Sequence, residues 1–245
     1  MPISLSQLID DTLRQDPAKE KHGVAPSWYA SQLGLCLRGV FLERMGFKDK
    51  AFDARTLRVF SQGKKLEDWV VELLRTHKDI TLSSQDRLHD TTLNLVGRPD
   101  IIIKYQDQEL IYELKSKQSR WFWMMESKKV GPSPNHMQQL WFYLYATGIK
   151  EGRLAYISKD DLAIAEYVIR LNDEDLKKEV LGQLNTLNDC WRNGFLPPMS
   201  GPKDWQTKYC KNHSLCKKLD KDPSLLKSLL IDKGIDLSGS GFMEK

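Results

Sequence analysis

Residues 97–117 read GRPDIIIKYQDQELIYELKSK. Two runs rich in β-branched and aromatic residues, Ile101 to Tyr105 and Glu109 to Leu114, are joined by Gln106 to Gln108, a connection short enough for a hairpin. The second run alternates strictly. In a strand this sends Glu113 and Lys115 to one side and Leu110, Tyr112 and Leu114 to the other, so an acid and an amine project together from a ribbon with an apolar opposite face. Asp100 follows a Gly-Arg-Pro bend that can turn its carboxylate toward the same place. Two carboxylates with room for waters form a hard oxygen site suited to Mg²⁺ or Mn²⁺. An adjacent ammonium can orient or help deprotonate an attacking water and offset charge on a phosphate. An isolated E-x-K arises often by chance. Here the hairpin, the Pro99-Asp100 pair and the spacing to Glu113 agree.

Outward from the hairpin, Leu93 to Val96 reads as a preceding strand. About Asn135 to Thr147 is a helix stopped by Gly148, and Arg153 to Ser158 and Ala163 to Arg170 are further strands. Asn172 to Trp191 is a helix capped by Asn172 or Asp173. Toward the N-terminus, Ser27 can cap a helix through Leu33, Leu37, Phe41 and Met45, ended by Gly46. A second helix, about Gly63 to His77, carries a core-forming stripe of Leu66, Trp69, Val70, Leu73 and Leu74. Helices, then a meander of strands, then helix, strands and helix predict an α/β fold around a mixed central sheet, with helical N- and C-terminal extensions.

The chain has 245 residues, long enough to bury a sizeable core, and its 40% hydrophobic and 29% charged content is that of a globular protein. No apolar run approaches the roughly 18 residues of a spanning helix. The start, MPISLSQLIDDTLRQD, lacks a basic flank followed by an apolar block, which predicts a cytoplasmic setting without membrane association. The net charge of +4 leans mildly toward polyanions. Local clusters say more: eight Lys and four Asp between Lys203 and Lys233, and five basic residues against Glu126 between Lys115 and Lys129. The second cluster also holds Trp121, Phe122 and Trp123. Basic groups neutralise phosphates and aromatic faces stack on unpaired bases, so the mix suits a nucleic-acid groove; a solvated loop with buried aromatics is the plainer alternative. Four cysteines, Cys36, Cys190, Cys210 and Cys216, are an even number where disulfides are rare, and raise metal binding as a possibility.

Pro99-Asp100 followed by Glu113-Leu114-Lys115 resembles the PD-(D/E)xK nuclease superfamily, in its RecB-like branch with the CRISPR adaptation nucleases and exonuclease V, a phage-type member included. The branch's Q-x-x-x-Y signature is matched by Gln139 to Tyr143, positions that share one helical face with His136. The resemblance implies a restriction-endonuclease-like core and an upstream helix bearing a metal-holding acid, for which Glu67 is the matching position. It implies one nuclease domain over 1–236, with a helical N-terminal region over residues 1–80, the nuclease core over 81–171 and a cysteine-bearing helical region over 172–236, followed by a flexible tail 237–245. Relatives with a 4Fe–4S cluster have one upstream Cys, matched by Cys36, and a downstream C-x2-C-x5-C, of which Cys210 and Cys216 match the last two. Thr207 stands at the vacant position, for which Cys190 or, less well, His213 could substitute; four thiolates suit iron–sulfur or zinc.

The activity so implied is a Mg²⁺- or Mn²⁺-dependent deoxyribonuclease, an exonuclease on single-stranded DNA or DNA ends with little sequence preference, working in recombination, repair or CRISPR adaptation beside protein partners. Asp100 and Glu113, with Glu67, would hold the metal. Lys115 would position the water, and Gln139 and Tyr143 would orient Lys115 or contact the DNA backbone. The rival expectation is a non-catalytic nucleic-acid-binding or scaffolding member of the same fold.

Overall fold

The computed structural model describes residues 4–14, 25, 27–47, 52–83, 87–199, 210 and 212–232. Its elements are α1 (Leu5–Arg14), β1 (Trp28–Tyr29), α2 (Leu37–Arg44), α3 (Ala54–Arg75), β2 (Ile80–Ser83), β3 (Leu88–Asp90), β4 (Leu95–Gly97), β5 (Ile101–Tyr105) and β6 (Gln108–Lys117). They continue with α4 (Ser119–Glu126), α5 (Pro134–Thr147), β7 (Glu151–Ser158), β8 (Ile164–Arg170), α6 (Glu174–Asn193), α7 (His213–Lys221) and α8 (Leu225–Asp232). They divide into two compact units that interleave along the chain. Together they form the expected mixed α/β architecture of sheets flanked by helices.

The first unit holds α1, α3, α4, α5 and a five-stranded sheet of order β2-β5-β6-β7-β8. The hairpin forms at its centre, with Ile101 opposite Tyr112 and Ile103 opposite Leu110, and Gln106 takes the left-handed turn position at φ 53°. Only β6 and β7 run parallel, with Lys115 opposite Tyr156, so the chain crosses over between them through α4 and α5. Helix α5 starts at Pro134, whose missing N–H costs nothing there, and stops at Gly148, whose φ of 75° favours glycine. Its seven consecutive residues Gln138 to Leu144 are all buried, because this middle stretch of the helix is enclosed on every side.

The second unit holds a small sheet of order β1-β4-β3 with α2, α6, α7 and α8. Its core centres on Trp28, which stacks on Phe41 and meets Trp191 edge-on at 5.8 Å. The Arg44 guanidinium lies 4.1 Å from the Trp28 ring centroid and 3.9 Å from that of Trp191, and burial pulls its pKa down to about 10. Asn188 ties the core together: it accepts from Trp28 Nε1 at 2.7 Å and donates to the Leu93 carbonyl at 3.0 Å.

Four expectations need correction. Ser27 does not open a helix: Trp28 and Tyr29 pair with Leu95 and Val96 in a parallel ladder, Gly34 turns at φ 74°, and α2 begins only at Leu37. Helix α3 starts nine residues before Gly63, because Asp53 accepts from the Thr56 amide at 2.7 Å and caps it. Its stripe is not core either, since among its described residues only Leu57 is buried, while Trp69 is 40% and Leu73 51% exposed. Finally, Leu93 and Asn94 lie in a turn rather than a strand, Asn94 at φ 54°. The tail 237–245 and Thr207 lie outside the described residues.

Candidate active site

Within the first unit, the bend through Arg98 and Pro99 brings the Asp100 carboxylate back onto β6, where its Oδ2 accepts the Leu114 N–H at 2.8 Å. One residue either side of that contact, Glu113 and Lys115 leave β6 together. Lys115 Nζ donates to Glu113 Oε1 at 2.5 Å and to Gln139 Oε1 at 3.4 Å, and Gln139 Nε2 donates to the Tyr143 hydroxyl at 3.0 Å. The i, i+4 pair on α5 thus faces β6, as its spacing predicts. The polar side of β6 is nevertheless the covered one. Ile111 and Glu113 are its fully buried residues, Glu113 at 1% exposure, while Leu110, Tyr112 and Leu114 are half-buried. The face that carries Glu113 is enclosed because α5 lies over the acid.

Burial has electrostatic consequences. It pushes the Glu113 carboxyl up to about 8, with Asp100 adding to the rise and Lys115 opposing it. Burial also raises Asp100 to about 6 against the pull of Lys115, and Glu67 contributes to the rise. Lys115 loses by burial but gains more from Glu113 and Asp100, so its pKa stands above that of a free lysine. Tyr143 is raised by burial and then by Glu113, and stays a neutral phenol. Glu113 Oε2 is buried and has no hydrogen-bond partner among the described residues.

A cavity of about 530 Å³ opens beside these groups, lined by Glu67, Asp100 and Lys115 with Lys64, Lys117 and Lys159. Glu67 is held at 2.6 Å by Lys64, which also reaches Asp68 at 3.1 Å. The position named from the upstream helix therefore faces the cavity, though an ammonium occupies one of its oxygens. His136, on the same wall, has its Nδ1 2.9 Å from the Tyr156 hydroxyl, and burial, then Lys115 and Lys117, lower it to about 3. Lys64 and Lys159 were not singled out by sequence reasoning. The available signal for Lys64 was its i, i+3 spacing to Glu67; Lys159 sits just past β7 and had none.

For a divalent metal the donor set fits. A small hard cation is commonly held by one or two carboxylates plus substrate oxygens and water, and Asp100 with the unpartnered Glu113 Oε2 meets that need. Among the described residues no group of three or more His, Cys, Asp or Glu side chains gathers closely enough to hold a metal by itself. In the second unit the thiols divide. Burial, Cys210 and Cys36 raise Cys216 to about 11, placing those three near one another, whereas Cys190 is raised by burial and Asp189. Among the described residues the thiols form no group of three or more close enough to hold a 4Fe–4S cluster or zinc.

An acid-bearing hairpin at the centre of a mixed sheet thus holds a Lys–Glu pair beneath a helix whose middle, Gln138 to Leu144, is buried. The chain belongs to the PD-(D/E)XK nuclease superfamily, whose model matches residues 4–217. No curated protein matches the sequence. Among solved structures, the protein SSO0001 shares the fold, with 19% identity, a TM-score of 0.57, and coverage of 88% of this chain and 98% of that one. An alkaline exonuclease, LHK-Exo from Laribacter hongkongensis, is similar at 17% identity over 66% of this chain and 92% of its own, TM-score 0.42. A phage-related exonuclease from Haemophilus somnus 129PT is similar at 14% identity over 62% and 79%, TM-score 0.41. No helix among the described residues is long and apolar enough to cross a membrane.

Proposed function

We propose that the protein is a divalent-metal-dependent deoxyribonuclease that acts on single strands or DNA ends with little sequence preference. The observation that carries this reading is the Glu113 carboxylate, enclosed by protein with one oxygen bound by Lys115 and the other without a partner among the described residues. A buried anion is costly unless something neutralises it, and a second carboxylate nearby makes the cost larger. Asp100 and Glu113, with Glu67 beside them, would hold Mg²⁺ or Mn²⁺, which when bound supplies Lewis acidity to the scissile phosphate and lowers the pKa of a water.

The chain's own residues do the rest. Lys115 stays protonated, so it acts as a cation that orients the attacking water and offsets charge growing on the phosphate oxygens. Gln139 holds Lys115 Nζ from the far side, and Tyr143 fixes Gln139. Lys64, Lys117 and Lys159 give the cavity wall an excess of positive charge that receives the phosphate backbone, and contacts of that kind carry no base information. The cysteines play no role in this reading.

End-labelled single- and double-stranded DNA, incubated with Mg²⁺, Mn²⁺ or EDTA, tests it. Cleavage should require the metal, and Asp100→Ala and Lys115→Ala should each lose about 100-fold or more in rate while remaining folded. An undiminished rate in either variant, or cleavage unaffected by EDTA, overturns the reading.

A further inference from the structure

Strand β6 does not end in a loop after the Lys115 site. One residue, Gln118, separates it from α4, a short helix whose sequence is SRWFWMME. Phe122 and Met125 are buried, and α4 packs on β7 and β8. The Tyr167 hydroxyl donates to the Met125 carbonyl at 2.9 Å and the Ser119 N–H to Asp160 at 3.3 Å, so the helix is fixed at both ends. Its outer side carries Trp121 and Trp123, 53% and 49% exposed. With Phe122 pointing inward, Trp121 and Trp123 stand about 100° to either side of it, and Arg120 and Met124 lie between them on the outward face. Trp123 meets the Phe122 ring edge-on at 5.6 Å, which sets its orientation.

Two large indoles on a fixed helix, an arginine between them, and Lys117, Lys128 and Lys129 along the same stretch form an apolar but cationic surface. Aromatic planes take the faces of unpaired bases, and the cations take the phosphates. The surface lies close to the cavity along the chain: Lys117 lines the cavity, and only about 13 Å of extended chain separates Lys115 from Ser119. We infer that Trp121, Arg120 and Trp123 form a stacking platform for unpaired nucleotides of the strand whose phosphate lies at Lys115, and that this platform selects single-stranded over duplex DNA. The inference rests on the nuclease reading above.

The test uses the full chain in EDTA, so that binding is read without cleavage, with a labelled oligothymidylate of roughly 12 nucleotides and a blunt duplex as probes. Wild type should prefer the single strand. Each lost stack weakens binding by roughly five- to 150-fold, so W121A/W123A should lose about 25-fold or more for the single strand and little for the duplex. W121F/W123F, which keeps two aromatic planes, should recover most of that affinity, and R120A should flatten the salt dependence. Hydrolysis of a small chromogenic phosphodiester with Mn²⁺, too short to reach the platform, should be the same in wild type and W121A/W123A.

Single-strand affinity within twofold of wild type in W121A/W123A overturns the platform, as does a phenylalanine variant no better than the alanine one. A wild-type dimer lost in W121A/W123A, with DNA binding unchanged, would assign the surface to self-association instead. Failure of the nuclease reading looks different: no cleavage of any substrate, with the tryptophan dependence of single-strand binding intact.

Discussion

Glu113→Gln should separate stability from activity. In the metal-free protein the Glu113 carboxyl is raised from 4.5 to about 8, chiefly by burial and then by Asp100. A raised carboxyl holds its proton more tightly in the folded state, so its contribution to stability is complete below pH 4.5 and is lost as pH rises toward 8. At pH 7 the gap of about 2.5 units above the unfolded value corresponds to about 3 kcal/mol, at 1.36 kcal/mol per unit. Glutamine carries no charge at any pH and is close in shape. Lys115 keeps Asp100 and is 24% exposed to solvent, so losing its partner gives back only a fraction of the gain. Chelated Glu113→Gln should therefore resist urea better than wild type at pH 7, with a difference that vanishes near pH 4.5 and grows up to pH 8. Mg²⁺ at about 1,000 times its Kd should reverse the order, because it adds about 4.1 kcal/mol to wild type and almost nothing to the variant. DNA cleavage by Glu113→Gln should be lost. A stability difference that is flat with pH, or a variant less stable than chelated wild type at pH 8, would refute the argument.

Gly152→Ala should lower Tm by several degrees, because a Cβ there would sit 2.9 Å from Leu140 Cδ1 and 3.1 Å from the Ile111 carbonyl oxygen, with Leu140 itself fully buried; overpacking of this kind costs about 1–3 kcal/mol. Asn188→Ala should cost about 1–3 kcal/mol in urea unfolding by stranding the buried Trp28 N–H, and Trp28→Phe in the same chain should cost less than it does alone. His136→Asn should remove an acid sensitivity. The imidazole, depressed to about 3, favours folding fully above pH 6.5 and loses that contribution as pH falls, so by pH 5 the wild-type profile should have dropped about 2 kcal/mol further than the variant's.

The hairpin was legible because its information is local. Two β-rich runs with a two-residue turn pair with each other, and Ile101 to Tyr105 form β5 as read. The far end of β6 was not, since Lys115, Ser116 and Lys117 are held as strand by Tyr156, Ile157 and Ser158 some 40 residues on, and nothing in their own pattern shows it. The same holds for β1, two residues that exist as strand only because β4 lies beside them. Helix α3 is a different case. Asp53 stands three residues ahead of Thr56 as a cap, but the apolar stripe at Leu66 is the stronger local signal, and its residues are half-exposed. An apolar stripe at helical spacing records what a helix offers for burial; whether a neighbour takes up the offer is settled elsewhere in the chain.

The candidate site shows the opposite error. Alternation of Glu and Lys with Leu and Tyr ordinarily marks the wet side of a strand, yet Glu113 is among the most enclosed side chains of the unit. What reverses the rule is α5, whose Gln139 and Tyr143 provide polar atoms above β6 and so make room for an ammonium and a carboxylate under cover. An acid placed where solvent cannot screen it interacts more strongly with Lys115, with Asp100 and with any cation that enters, which is the condition an electrostatic catalyst needs. The covering helix therefore belongs to the chemistry as much as the hairpin does. A strand carrying the same Glu and Lys without a Gln-x-x-x-Tyr helix above it would leave both groups hydrated and their mutual interaction weak.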